Sequence, residues 1–158
     1  MSADRIVTRL DVVRSLEKIL GQPYAHQGRL QEVGGRITGP GTDCCGTLLF
    51  AGHDLGVTSF EMLGYAADPD GSFEQILESQ LIRLPHFRDA QVGDVLAHDF
   101  GEGIQHCSVV VSVHPTRRDW QQFKVIHATR SNGVHRGVFE LKYYKALVRA
   151  YHIPGVQY

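Results

Sequence analysis

Val7, Leu10, Val13, Leu16 and Leu20 recur at three- to four-residue spacing, the stripe of an amphipathic helix that Gly21 and Pro23 end. The pattern then lapses. Between residues 22 and 42 the chain carries Gly28, Gly34, Gly35, Gly39 and Gly41 with Pro23 and Pro40, which predicts one long loop. Long loops without structure inside compact domains are commonly functional. Thr42 or Asp43 next reads as the N-cap of a helix running through Cys45 and Leu49 to about Leu55 and stopped at Gly56. Asp70-Gly71-Ser72 introduces a further helix through Phe73, Ile76, Leu77 and Leu81. After Pro85 the period changes. Three β-branched-rich runs, at 92–96, 107–113 and 123–127, are separated by turn residues, and two more strands are expected around 134–141 and 146–153. Helices first and short strands afterwards describe an α+β domain, with N-terminal helices on a five- to six-stranded antiparallel sheet.

Length and composition narrow the classes. The 158 residues fit one domain, 1–158, with a single core and no second-domain linker. Apolar residues make up 42% and charged residues 21%, an ordinary globular mix. Lys plus Arg is 16 against 17 for Asp plus Glu, so no basic stripe forecasts a nucleic-acid partner. No apolar run approaches the roughly 20 residues that span a bilayer. The N-terminus opens polar with no signal-peptide core, so the expected location on synthesis is the cytoplasm, with release inside a particle or by lysis. Three cysteines argue against a disulfide framework and leave reduced thiols.

The candidate chemistry lies in Asp43-Cys44-Cys45-Gly46 with His106 and His127 downstream. A thiol in the first turn of a helix sits among unpaired backbone amides and the positive end of the dipole, which favour a thiolate and can hold an oxyanion. Cys44 and Cys45 point about 100° apart on a helix, so only one can face a cleft, and helical phase alone does not choose between them. Free cysteine is more often a small buried hydrophobe. His106 precedes the apolar run 107–113 and sits at the mouth of a central strand, where an imidazole can take a thiol proton. His127 closes the run Val125-Ile126 and could hydrogen-bond the far nitrogen of His106, as the third group of a triad does. The bland alternatives are a packed histidine and a strand-end histidine facing water. Tyr24 could point its hydroxyl into the same cleft or be a buried aromatic. Zinc is the competing chemistry, but no C-x₂-C or H-x₃₋₅-H pair joins these cysteines and histidines, and His106 and Cys107 face opposite ways on a strand. Neither a P-loop nor a dinucleotide fingerprint is present, so no metal and no organic cofactor is expected.

In this order the segments resemble the NlpC-type cell-wall peptidases, papain-like cysteine hydrolases, over about 16–154. Gly21-Gln22-Pro23-Tyr24 is similar to the family's Gly-x-Pro-Tyr approach, and Asp43-Cys44-Cys45-Gly46 to its Asp-Cys-Ser/Ala-Gly motif. Val92-Gly93-Asp94-Val95-Leu96 resembles the Pro-Gly-Asp-Leu strand. His106-Cys107-Ser108-Val109-Val110-Val111 resembles His-Val-Gly-Ile-Val-Ile, and Ile126-His127-Ala128 resembles the His-Ala segment. Thr47, where Leu or Phe is usual, and Cys107, where Val or Ala is common, depart from the pattern. The resemblance implies a papain-like fold and a Cys-His-His triad of Cys44, His106 and His127. It also implies substrate or oxyanion contacts at Tyr24, Asp43 and Cys45, and a peptidoglycan stem peptide as substrate. The Pro-Tyr-Ala-His-Gln-Gly stretch looks most like the branch found in phage tails and gene-transfer particles, which implies phage-tail proteins as partners and a virion-associated location. A tail-tip component that keeps the fold while catalysis is dispensable is the alternative.

Overall fold

Thr8 sets where the first helix begins. The computed structural model describes residues 5–117 and 121–157, with the polar opening at 1–4 outside them. A two-residue strand, β1 (Val7–Thr8), runs into α1 (Arg9–Glu17), and a capping box joins them. The Thr8 hydroxyl accepts from the Asp11 amide while the Asp11 carboxylate accepts from the Thr8 amide. The buried face of α1 and its exit is Val12, Val13, Leu16 and Ile19, and Leu10 is exposed. Of the stripe counted from Val7, Val13 and Leu16 are buried and Val7 and Leu20 pack against the core, so only Leu10 leaves it, and Val7 belongs to a strand, not to the helix.

The 22–42 stretch is not one structureless loop. It holds a small exposed hairpin of β2 (Gln31–Val33) and β3 (Arg36–Thr38), turned at Gly34 and Gly35, both at positive φ. Arg29 pins the segment from outside by donating to Glu61, to the Met62 carbonyl and to the Tyr65 hydroxyl. The next helices form as expected. α2 (Cys44–Asp54) starts at an Asp43 cap, and α3 (Ser72–Gln80) buries Phe73, Ile76 and Leu77. Packing α2 needs Gly46, because a Cβ there would lie 2.3 Å from Thr42 Oγ1 and 2.5 Å from the Gly28 carbonyl.

The remaining strands are β4 (Ile82–Arg83), β5 (Val95–Asp99), β6 (Ile104–Val113), β7 (Phe123–Thr129) and β8 (Gly133–Val138). A short helix α4 (Leu141–Ala146) precedes β9 (Leu147–His152) and β10 (Val156–Gln157). Six of the strands form one antiparallel sheet in the order β4-β9-β5-β6-β7-β8, while β1 and β10 pair in parallel. The sheet divides two apolar clusters. Val95, Ala97, Cys107, Val109, Ile126 and Ala128 lie under α1, α2 and α3. Leu96, Val110, Phe123, Val125 and Phe139 fill the opposite face beside α4.

Two differences from the sequence pattern bear on the site. β6 opens at Ile104, three residues before the apolar run. The Asp99 carboxylate accepts from the Gly101 and Gly103 amides, folding a tight turn that pairs Asp99 with Ile104 at once. His106 therefore sits inside the strand, not before it. The stretch at 134–141 ends as a strand at Val138 and turns into α4, which sets Tyr143 over the face that carries the histidines.

Candidate active site

Asp43 organises the start of α2. Its carboxylate accepts from the Gly46 amide at 2.8 Å, the Gln27 amide at 2.7 Å and the Tyr65 hydroxyl at 2.7 Å, while its carbonyl accepts from the Thr47 amide. The phenol is held well above its ordinary range by burial and by that bond, which fixes it as the donor. The cap takes the amides of Gly46 and Thr47. The N–H groups of Cys44 and Cys45 are the first-turn donors it leaves over. Three internal donors take the Asp43 carboxylate, with His26 Nδ1 at 3.6 Å and Arg29 Nη1 at 4.0 Å beside it, and together they fix the position of the helix end.

The two cysteines separate cleanly. Cys45 is 3% exposed, belongs to the core cluster, and burial pushes its thiol up to about 12. Cys44 is half-buried and opens onto a cleft of about 360 Å³. Tyr24, Gln105, His106, Thr129, Arg130 and Tyr143 share the walls of that cleft. Burial raises the Tyr24 phenol, and a hydrogen bond from Arg130 opposes the rise. Cys107 reaches the other way, its thiol donating to the Cys44 carbonyl at 3.4 Å, and so ties α2 to β6.

On the α4 face of the sheet His106 Nε2 lies 2.9 Å from His127 Nδ1. Tyr143 covers both rings, with centroids 5.6 Å from His106 and 5.1 Å from His127. Burial, then the neighbouring rings of His98, His127 and His135, hold His106 well below the ordinary histidine range. Burial likewise takes His127 down to about 3. At neutral pH both rings are uncharged, so His106 is a free base. His98 is buried beside them, with Nδ1 donating to the Tyr143 carbonyl and Nε2 accepting from the Ser108 hydroxyl. Among the described residues no three His, Cys, Asp or Glu side chains are arranged to hold a metal ion.

The structure thus brings Tyr24, Cys44 and His106 to one cleft, with His127 bonded behind His106, and puts Cys45 in the core beneath. Tyr65, Tyr143 and His135 belong to the same neighbourhood, and the sequence pattern did not single them out. His135 had a signal: the hairpin closed at Gly133 places it directly opposite His127.

No protein-family model and no curated protein matches the chain. Among solved structures, the chain is similar to the NlpC/p60 domain of the peptidoglycan hydrolase SagA, with a TM-score of 0.58. The likeness covers 93% of this chain and 100% of that one at 18% identity, so it is a likeness of fold. The architecture is accordingly the papain-like fold of NlpC/p60 domains, with helices on an antiparallel six-stranded sheet.

Proposed function

We propose that this protein is a cysteine peptidase or amidase of the NlpC type, cleaving an amide bond in peptidoglycan stem peptides. The observation that carries the reading is the 2.9 Å contact from His106 Nε2 to His127 Nδ1 beside a cleft that also opens onto Cys44. His106 takes the Cys44 proton, and the thiolate adds to the amide carbonyl. The N–H groups of Cys44 and Cys45, at the positive end of α2, receive the oxyanion, with the Tyr24 hydroxyl on the facing wall. His106 returns the proton to the leaving amine, and water then hydrolyses the thioester by the reverse path. His127 orients His106 and stabilises the imidazolium while it exists. The lowered basicity of His106 favours a neutral imidazole at rest, with proton transfer occurring during attack. The substrate class rests on the motif order together with the fold shared with a peptidoglycan hydrolase.

Purified sacculi incubated with wild type and with Cys44→Ala, products identified by mass, test this reading. Release of stem-peptide fragments by wild type alone is expected. Release that persists in Cys44→Ala, or none from wild type, overturns it.

A further inference from the structure

A third imidazole continues the line behind His127. His127 Nε2 lies 3.2 Å from His135 Nε2, and His135 Nδ1 lies 2.9 Å from the Gly133 carbonyl oxygen. The rings are linked head to tail through different nitrogens and do not converge on a point, as ligands of one ion would.

The line has a definite polarity. A carbonyl oxygen only accepts, so the His135 proton must sit on Nδ1. A neutral imidazole has one N–H, which leaves His135 Nε2 as an acceptor. His127 must then donate from Nε2, and its Nδ1 becomes an acceptor. His106 must in turn donate from Nε2, which leaves the lone pair of its own Nδ1 free. The opposite polarity would set the His135 Nδ1 lone pair against the Gly133 carbonyl at 2.9 Å.

We propose that His135 is a positioning residue of the thiol site: anchored on the Gly133 carbonyl, it fixes the tautomer of His127 and through it that of His106. The backbone is built for this arrangement. His127 and His135 are paired across β7 and β8, so their side chains leave the sheet on one face. Gly133 adopts φ 63°, and a Cβ there would strike the Gln22 carbonyl at 2.2 Å, so the anchoring peptide is held from behind. Two residues past His135, a Cβ on Gly137 would come within 3.0 Å of His127 Nε2, and its absence leaves room for the His127–His135 contact.

The consequence for chemistry is specific. When His106 accepts the thiol proton on Nδ1 it carries N–H on both nitrogens, and the His127 Nδ1 lone pair then faces an imidazolium donor. Without the His135 acceptor, His127 is free to carry its proton on Nδ1. That proton would face the His106 Nε2–H and favour the His106 tautomer whose Nδ1 is already occupied. An imidazole in that tautomer cannot act as the base.

The inference rests on the Cys44–His106 reading only for its kinetic arm. Nitrogen NMR of protein labelled with ¹⁵N in its histidine rings tests the polarity in wild type without any substitution. The expected spectrum has protonated Nε2 and unprotonated Nδ1 on His106 and His127, and the reverse on His135. Protonated Nδ1 on resting His106 overturns the proposal. In His135→Leu the His106 and His127 signals should shift toward the other tautomer, with kcat on stem peptides falling about 10- to 100-fold and KM little changed. His135→Gln, which restores an acceptor near the Nε2 position, should recover most of the rate. Unchanged tautomers and rate in His135→Leu overturn the proposal, as does failure of Gln to improve on Leu. If wild type shows the expected tautomers but no Cys44-dependent hydrolysis, the functional reading fails and the histidine polarity stands.

Discussion

Replacing Asp43 with Ala removes the acceptor for three donors at once, and the cost can be worked out donor by donor. Loss of the α2 N-cap, the 2.8 Å bond from the Gly46 amide, costs about 1 kcal/mol. The Gln27 amide and the buried Tyr65 hydroxyl, each 2.7 Å from Oδ2, lose their acceptor, at about 1–3 kcal/mol per stranded donor. The sum is about 3–7 kcal/mol, a large share of the roughly 5–15 kcal/mol that holds a domain of this size. Tyr65→Phe alone should cost about 1–2 kcal/mol, because the carboxylate keeps its two amide donors. In the Asp43→Ala background the same change should cost less, since the phenol then keeps only the hydrogen bond it accepts from Arg29. Urea unfolding of wild type, both single variants and the double variant measures all four terms. A loss below about 1.5 kcal/mol for Asp43→Ala, or an equal cost of Tyr65→Phe in both backgrounds, refutes the accounting.

Stability should fall as the solution is acidified from pH 7 to pH 5. Buried His98 sits at about 4 against an ordinary 6.5, so the unfolded chain binds the proton first; the stability is fully present above 6.5 and is lost as pH drops toward 4. That group alone accounts for about 2 kcal/mol by pH 5, and a flat or rising unfolding free energy over this range contradicts it. The acid limb of kcat/KM on stem peptides should lie below the ordinary histidine value, because burial keeps His106 unprotonated, and a limb at or above 6.5 would show a different base. Gly133→Ala should cost more than about 1 kcal/mol in urea melts, since φ is 63° and the added Cβ meets the Gln22 carbonyl at 2.2 Å. A neutral result there would mean that the turn is not held as described.

The features legible in the sequence are those decided over a few residues. The Asp43 cap, the helix it starts and the stop near Gly56 depend on one local motif, and they stand where the pattern puts them. The strand runs were visible too, because both faces of the central strands are buried and the residues are β-branched. What escaped depends on partners far along the chain. β1 and β10 are two residues each and exist only because the far ends of the described chain meet. α4 follows directly on an extended run, with Tyr143 and Tyr144 giving no helical signal before packing. Helical phase does not separate Cys44 from Cys45, whereas packing does: Cys45 lies in the core cluster and Cys44 lines the cleft. His135 was recoverable by counting across the hairpin from Gly133, but nothing in its immediate neighbours marks it.

Strand β6 joins both sides of the cleft by one peptide unit. Cys107 faces α2 and holds the carbonyl of Cys44, while His106, its neighbour in sequence, faces the histidine line on the other side of the sheet. Bending of the sheet moves the seat of Cys44 and the His106 imidazole as one body. Thermal excursions of the surrounding rim therefore change access to the cleft more than they change the spacing of the groups at its floor. The same coupling makes β6 intolerant of insertion. One added residue between Ile104 and His106 would turn the imidazole toward the helices and aim a thiol at His127.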